Sequence, residues 1–286
     1  MTASTMPRTG AIVDAWAQPA RPDFLTGVPE VARLLQQSGS AEIAARGYSV
    51  DEYVAAMDAA GVDTVVLSAW CRPGRWVFTN DEIAEYVRAY PARFVGCATV
   101  DLDKPVEAVH ELRRCVVELG FKALRVVPWL WRIPPDHRLY YPLYVACVEL
   151  GIPFCTQVGH TGPLMPSETG RPVPYIDQVA LDFPDLVIVG GHIGHPWTDE
   201  MIGVAWKHAN VYIDTSAYLP RYYPPQLLHY MRTYGQDKVL FGTNFPQLPF
   251  DRCVEQVRAL GLSADVEAKF LGGNAHRVFG LEHEAA

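Results

Sequence analysis

The chain lacks any run of the ~18 consecutive apolar residues that a membrane helix requires, and its start, Met1-Thr2-Ala3-Ser4-Thr5-Met6-Pro7-Arg8, lacks the apolar core of a secretory signal. These absences point to a cytoplasmic protein with a short frayed tail over residues 1–9. There is no C-x-x-C pair: Cys71, Cys97, Cys115, Cys147, Cys155 and Cys253 are widely spaced and fall mostly inside apolar runs, which argues against a disulfide framework or a cysteine-rich zinc site. Basic residues are in deficit, 24 Lys and Arg against 32 Asp and Glu, for a formal charge of −8. Nonspecific binding to nucleic acid or to an anionic lipid surface is therefore disfavoured. No G-x-G-x-x-G follows any candidate strand, which weakens a dinucleotide-binding reading.

What is present is a globular composition, with 49% hydrophobic, 20% charged and 11% aromatic residues in 286. Short apolar runs alternate with longer segments of helical period, as in βα units around a parallel sheet. Eight strands are expected at 11–14, 64–68, 94–98, 123–127, 153–157, 186–190, 211–214 and 238–242. Helices are expected near 51–60, 80–90, 104–119, 138–150, 173–182, 198–208, 224–235 and 251–260, with a terminal pair after 263. In 104–119, Val106, Val109, Leu112, Val116 and Leu119 recur at three or four residues and should share one buried face. Eight strand–helix repeats in one chain point to an α/β class fold, a closed (β/α)₈ TIM-like barrel forming a single domain over 1–286.

In such a barrel the residues at the C-terminal ends of the strands converge on one pocket. Here they are Asp14, Trp16 and Gln18; Trp70, Cys71, Arg72 and Arg75; Arg125, Trp129 and Trp131; Gln157 and His160; His192 and His195; Asp214, Thr215 and Ser216; Thr243, Asn244 and Gln247. His192 directly follows an apolar strand and should face the mouth, where an imidazole both gives and takes protons near neutrality. A core histidine satisfied by hydrogen bonds is the alternative. Arg72 and Arg75 lie in a Pro-Gly loop from which a guanidinium fork can hold a carboxylate, unless each forms an ordinary surface ion pair. Arg125, near a strand end, would require an acidic partner in the interior, for which Asp14 or Asp214 is available. Trp16, Trp70, Trp76, Trp129 and Trp131 suit a flat conjugated ligand, although tryptophan also fills cores. Cys71 has no base near it in sequence and is a poor candidate nucleophile. Residues 161–174, rich in proline and glycine, read as a substrate-covering loop with Glu168 and Arg171 as contacts. The remaining histidines fall on helices, loops or the tail.

The segments Phe183-Pro184-Asp185-Leu186-Val187-Ile188-Val189-Gly190-Gly191-His192-Ile193-Gly194, Gly159-His160, Lys238-Val239-Leu240-Phe241-Gly242-Thr243-Asn244-Phe245-Pro246 and Gly273-Asn274-Ala275-His276-Arg277-Val278-Phe279 carry a resemblance. In this order and spacing the chain resembles the amidohydrolase superfamily, in the branch related to aminocarboxymuconate-semialdehyde decarboxylase. Metal-dependent members open with Asp-x-His-x-His, add histidines after the fifth and sixth strands and end the eighth with Ser-Asp. This chain reads Asp14-Ala15-Trp16-Ala17-Gln18 and Thr243-Asn244 at those places, and only His160 and His192 keep the pattern. A catalytic zinc wants three nitrogen, sulfur or anionic oxygen ligands, and indole and carboxamide are poor replacements.

The resemblance together with this departure implies a metal-independent enzyme, with no cofactor, acting on a small cyclic or aromatic carboxylic acid. His192 would be the acid/base, with His160 and Asn244 on the reacting oxygen. Arg72 and Arg75 would anchor the carboxylate and Trp16 would stack on the ring, with Gln18, Arg125, Trp129, Gln157 and Asp214 completing the site. Decarboxylation is favoured, with lactone hydrolysis, dehydration or cyclisation on the same pocket as alternatives. Two others remain: a divalent ion such as zinc held by His160, His192 and Asn244 or Asp14, and a non-catalytic ligand-binding barrel. The resemblance also implies a homodimer.

Overall fold

The computed structural model describes residues 11–281, so the expected tail over 1–9 lies outside the described residues. The strands are β1 (Val13–Ala17), β2 (Thr64–Ser68), β3 (Trp70–Arg72), β4 (Arg75–Phe78), β5 (Phe94–Ala98), β6 (Ala123–Val126), β7 (Phe154–Gln157), β8 (Ile188–Gly191), β9 (Val211–Asp214) and β10 (Val239–Leu240). Eight of them form one parallel sheet in the order β1-β2-β5-β6-β7-β8-β9-β10, and β3 pairs with β4 as a separate antiparallel hairpin. Backbone bonds from Ala15 N–H to the Phe241 carbonyl (2.9 Å), Asn244 N–H to the Trp16 carbonyl (2.8 Å) and Gln18 N–H to the Phe245 carbonyl (3.1 Å) bring the last strand back to the first. The architecture is the expected (β/α)₈ barrel.

Those closing bonds explain two shifted boundaries. β1 runs to Ala17 rather than ending at 14, because its pairing with 241–245 continues past Asp14. β10 holds only two ladder residues, because Thr243 turns to bond Asp14 and Asn244 takes a left-handed backbone, φ 63°. Inside the barrel, Val13, Ala15, Val66, Cys97, Ala123, Cys155, Val189 and Leu240 fill the interior, joined by Ala275, Val278 and Phe279 of the C-terminal helix. All six cysteines are buried and free.

The outer helices begin where capping predicts. Ser49 with Glu52 and Thr79 with Glu82 form reciprocal capping boxes for the helices Val50–Ala60 and Asn80–Ala89. The helix Pro105–Val117 buries Ala108, Leu112 and Cys115, so the expected face is rotated and Val106 lies in solvent at 68% exposure. Small Ala108 and Cys115 allow the close approach to the sheet that a line of valines would prevent. Three short helices at Asp23–Gly27, Ala32–Ser38 and Ala41–Arg46 occupy a stretch with no long periodicity, and the first two lie over the barrel mouth.

Candidate active site

A cavity of about 180 Å³ opens at the C-terminal end of the barrel. His192 reaches it because β8 ends in two glycines. A Cβ on Gly191 would stand 2.6 Å from the Trp16 ring, so only glycine lets the indole lie against the strand. The chain then turns sharply, with His192 at φ 72° and the β-branched Ile193 at φ 54°. Together with Ala217 (φ 66°) and Asn244 (φ 63°), they gather left-handed backbone at the mouth. Strain of this kind persists where surrounding structure over-determines it, commonly at functional sites.

Nδ1 of His192 lies 2.8 Å from Ser216 Oγ. The Ser216 hydroxyl donates to Asp214 Oδ1, and Ser216 N–H donates to the same oxygen at 2.9 Å. With its one hydrogen on the carboxylate, Ser216 Oγ can only accept from His192, which assigns the proton to Nδ1 and leaves Nε2 as an acceptor toward the cavity. Burial, with the nearby Arg125 and His160 adding to it, pushes the His192 pKa down to about 3, so the ring is neutral at pH 7. Burial pushes Asp214 up to about 6, with Ser216 and Arg125 pulling against it.

Trp16 forms a wall of the cavity, and the guanidinium of Arg125 lies 3.7 Å from its ring centroid. Arg125 is 1% exposed and donates to the carbonyls of Ala17 (3.2 Å) and Ala15 (3.1 Å). The acidic partner expected for it in Asp14 or Asp214 is not there. Neither carboxylate forms an ion pair with it, and the strand carbonyls and the indole face take that role. Asp14 instead accepts from Trp16 N–H, Thr243 N–H and the Thr243 hydroxyl, and burial pushes its pKa up to about 7.

The carboxamides at the mouth use their donors on the protein. Gln18 Nε2 donates to the carbonyls of Asn244 and Phe245, Gln157 Nε2 to those of Gly159 and His160, and Asn244 Nδ2 to Gln247 Oε1. His160 is exposed at the rim, its Nδ1 3.2 Å from both the His195 carbonyl and the Tyr218 hydroxyl. A carbonyl only accepts, so Nδ1 carries the proton here too.

Of the residues expected at the site, Trp16, Gln18, Trp129, Gln157, His160, His192 and Asn244 line the cavity. Asp214 and Arg125 stand one layer behind it. Arg72 and Arg75 do not reach it, which corrects their expected role as anchors. Arg72 makes a two-pronged bond to Glu30 (2.9 Å to each oxygen) and Arg75 is exposed on the β3–β4 hairpin. Of the other tryptophans Trp70 lines the cavity, whereas Trp131 is buried elsewhere and Trp76 is exposed. From the covering loop only Gly162 and Pro163 contribute: Glu168 bonds Tyr175 and Arg171 pairs with Glu200 at 2.7 Å, which corrects their expected contacts. Burial pushes the Cys71 thiol up to about 12, leaving no nucleophile there.

Sequence reasoning missed Phe24, Val31, Leu34, Leu35 and Tyr218 on the walls. It named Ser216 as a strand-end residue without its place between Asp214 and His192, a role that the D-x-S spacing after β9 signals. The apolar wall carries no comparable signal, since the short helices that supply it have no motif.

A family model described as amidohydrolase matches residues 13–281. The chain belongs to the amidohydrolase family. Gamma-resorcylate decarboxylase of Polaromonas sp. is 24% identical over 81% of this chain and 87% of its own length. The 2-amino-3-carboxymuconate-6-semialdehyde decarboxylase of Dictyostelium discoideum is 24% identical over 76% and 71%. Relatives of this amidohydrolase are thus decarboxylases of the expected branch. Among solved structures, an uncharacterized TIM-barrel protein of Bordetella bronchiseptica superposes with TM-score 0.82 at 28% identity, covering 94% of this chain and 98% of that one. A dihydroxybenzoic acid decarboxylase of Polaromonas sp., with bound manganese and the inhibitor 2-nitroresorcinol, superposes with TM-score 0.74 at 21% identity, covering 95% and 97%.

The residues of this amidohydrolase do not fit a resident divalent ion. Among the described residues no three His, Cys, Asp or Glu side chains converge to hold one. Both oxygens of Asp14 are engaged by Trp16 and Thr243, and the positions around it that face the cavity carry the indole of Trp16 and the carboxamides of Gln18 and Asn244. The Arg125 charge 3.7 Å from the Trp16 ring would also repel a cation.

Proposed function

We propose that this amidohydrolase is a metal-independent decarboxylase of a small aromatic acid that carries a ring hydroxyl, with His192 shuttling the proton. The observation that carries the reading is the Asp214–Ser216–His192 chain, which presents a neutral Nε2 to a slot walled by Trp16, Phe24, Trp70 and Trp129. A cavity of about 180 Å³ suits a single substituted ring.

Nε2 takes the proton of the ring hydroxyl, and the hydroxyl's electrons enter the ring. The imidazolium, held at Nδ1 by Ser216 and through it by Asp214, returns the proton to the ring carbon that bears the carboxylate. The bond to the carboxylate then breaks, carbon dioxide leaves, and its electron pair restores the aromatic ring as a phenolate that takes a proton from solvent. Positioned acid/base transfer of this kind contributes ~10²–10⁴ in rate. The low pKa of His192, about 3, favours return of the proton to carbon and opposes its uptake from the hydroxyl, so uptake and return have to be closely coupled. Among the described residues no lysine or arginine lines the cavity. A carboxylate placed there is poorly solvated, whereas the departing carbon dioxide is neutral and the remaining charge spreads over the ring.

A second reading, hydrolysis of a lactone, is favoured by the same neutral Nε2, which can take a proton from water. The test is a panel of hydroxybenzoates and aromatic lactones, assayed for carbon dioxide release and ring opening on chelator-treated protein and on protein given manganese. Decarboxylation that survives chelation and falls by at least ~10² in His192→Gln at unchanged melting temperature supports the proposal. Turnover that requires added manganese overturns it.

A further inference from the structure

Arg125 is a buried cation without a carboxylate partner. Its guanidinium is 1% exposed, is bonded only to the carbonyls of Ala15 and Ala17, and has an Nε without a hydrogen-bond partner. A buried charge held this way is costly. No carboxylate among the described residues bonds to it: Asp214 acts on it only at a distance, and Tyr53, Cys97, Cys155 and His192 also feel its charge. Arg125 does not line the cavity, but Trp16, 3.7 Å from it, does. Trp16 is itself 1% exposed, with Arg125 over its ring and Gly191 packed against it, so the indole stands in the cavity wall between that wall's surface and a fixed positive charge.

We propose that Arg125 is a positioning residue that acts from behind Trp16: its charge favours an aromatic anion over a neutral ring on the cavity side. The inference rests on the aromatic ligand of the proposed function, not on its reaction. Trp16, against which the guanidinium lies, and His192, whose protonated form it disfavours, both line the cavity, so a ring held there stands within reach of the charge. The guanidinium is 1% exposed, so the attraction is screened less than at a surface. A phenolate, or a ring carrying the charge left by departing carbon dioxide, is the anion that this geometry selects. The guanidinium thereby supplies, from behind a wall, positive charge that no described residue lining the cavity provides.

The test compares two probes of like shape, 4-nitrophenol at a pH where it is ionised and neutral 4-nitrotoluene, by direct binding. The native protein is expected to prefer the phenolate. Arg125→Met should lower that preference about tenfold with the affinity for nitrotoluene unchanged, and Arg125→Lys, which keeps the charge, should retain most of it. Should the methionine variant fail to fold, Arg125→Gln, which can keep a bond to the strand carbonyls, carries the same comparison. No preference in the native protein, or equal loss in the lysine and neutral variants, overturns the inference and leaves Arg125 a structural residue. A preference that follows the charge while no ring acid is turned over leaves the inference standing and removes the proposed reaction.

Discussion

Ser216 Oγ stands 2.8 Å from Nδ1 of His192 and passes its own hydrogen to Asp214, so the serine fixes which ring nitrogen faces the cavity. Ser216→Ala leaves Nδ1 without its acceptor and lets the other tautomer form, with Nε2 protonated. The expected result is a fall in kcat of about 10- to 100-fold with little change in KM, since the serine does not touch the ring. Nitrogen NMR of labelled histidine should show the shift in tautomer. A native-like tautomer in the variant would remove the serine from the mechanism.

Asp14 gives a pH signature. Its carboxyl is pushed from 3.8 to about 7 by burial, so the folded state holds a proton that the unfolded chain has released. Its contribution is present below about pH 4 and is lost as pH rises through 7. His192 acts oppositely: its pKa falls from 6.5 to about 3, so stability is lost as pH falls through that window. Asp14→Asn keeps an acceptor for the Trp16 and Thr243 N–H groups and removes the charge. It should raise stability at pH 8 relative to pH 5 by on the order of 2–3 kcal/mol at most, read from urea midpoints. Equal pH profiles for the two proteins would show that Asp14 does not titrate in this range.

The barrel was legible because each inner strand is a short apolar run followed by a helical segment, and His192 because two glycines and a histidine at the end of such a run leave few places for the ring. Arg72 and Arg75 were misplaced for a physical reason. An arginine in a Pro-Gly loop looks the same in sequence whether its fork meets a substrate or Glu30, and Glu30 lies 42 residues away. Arg125 was read as interior, but an acid was assumed where backbone carbonyls and an indole serve. The covering segment at 23–38 was not legible, because its helices of five and seven residues are too short to show a period.

Gly191 tests the seating of Trp16 in the cavity wall. A methyl there would meet Trp16 at 2.6 Å, and the indole cannot retreat because Arg125 lies against it at 3.7 Å. Gly191→Ala should cost about 1–3 kcal/mol, weaken binding of ring ligands and alter tryptophan fluorescence. Gly203→Ala is the control. Nothing lies within 4 Å of its added methyl, and it sits in the helix Thr198–Lys207, where alanine is stabilising by ~0.5–1 kcal/mol. Equal effects at the two positions would mean that the contact with Trp16 is not what constrains Gly191.

The bond between Arg72 and Glu30 joins the β3–β4 hairpin to the segment that carries Phe24, Val31 and Leu35 over the cavity. The two side chains are 22% and 21% exposed, so the pair should contribute no more than about 1 kcal/mol to global stability. Its effect belongs instead to the position of the cover. Arg72→Ala should raise KM several-fold with kcat nearly unchanged, because the wall loosens while His192 and Ser216 stay in place. Glu30→Gln separates this from direct binding. If Arg72 acts through Glu30, the two variants give the same KM and the double variant adds nothing. If Arg72 instead swings to meet a substrate carboxylate, Glu30→Gln frees it and lowers KM, and the sign of that change decides between the two.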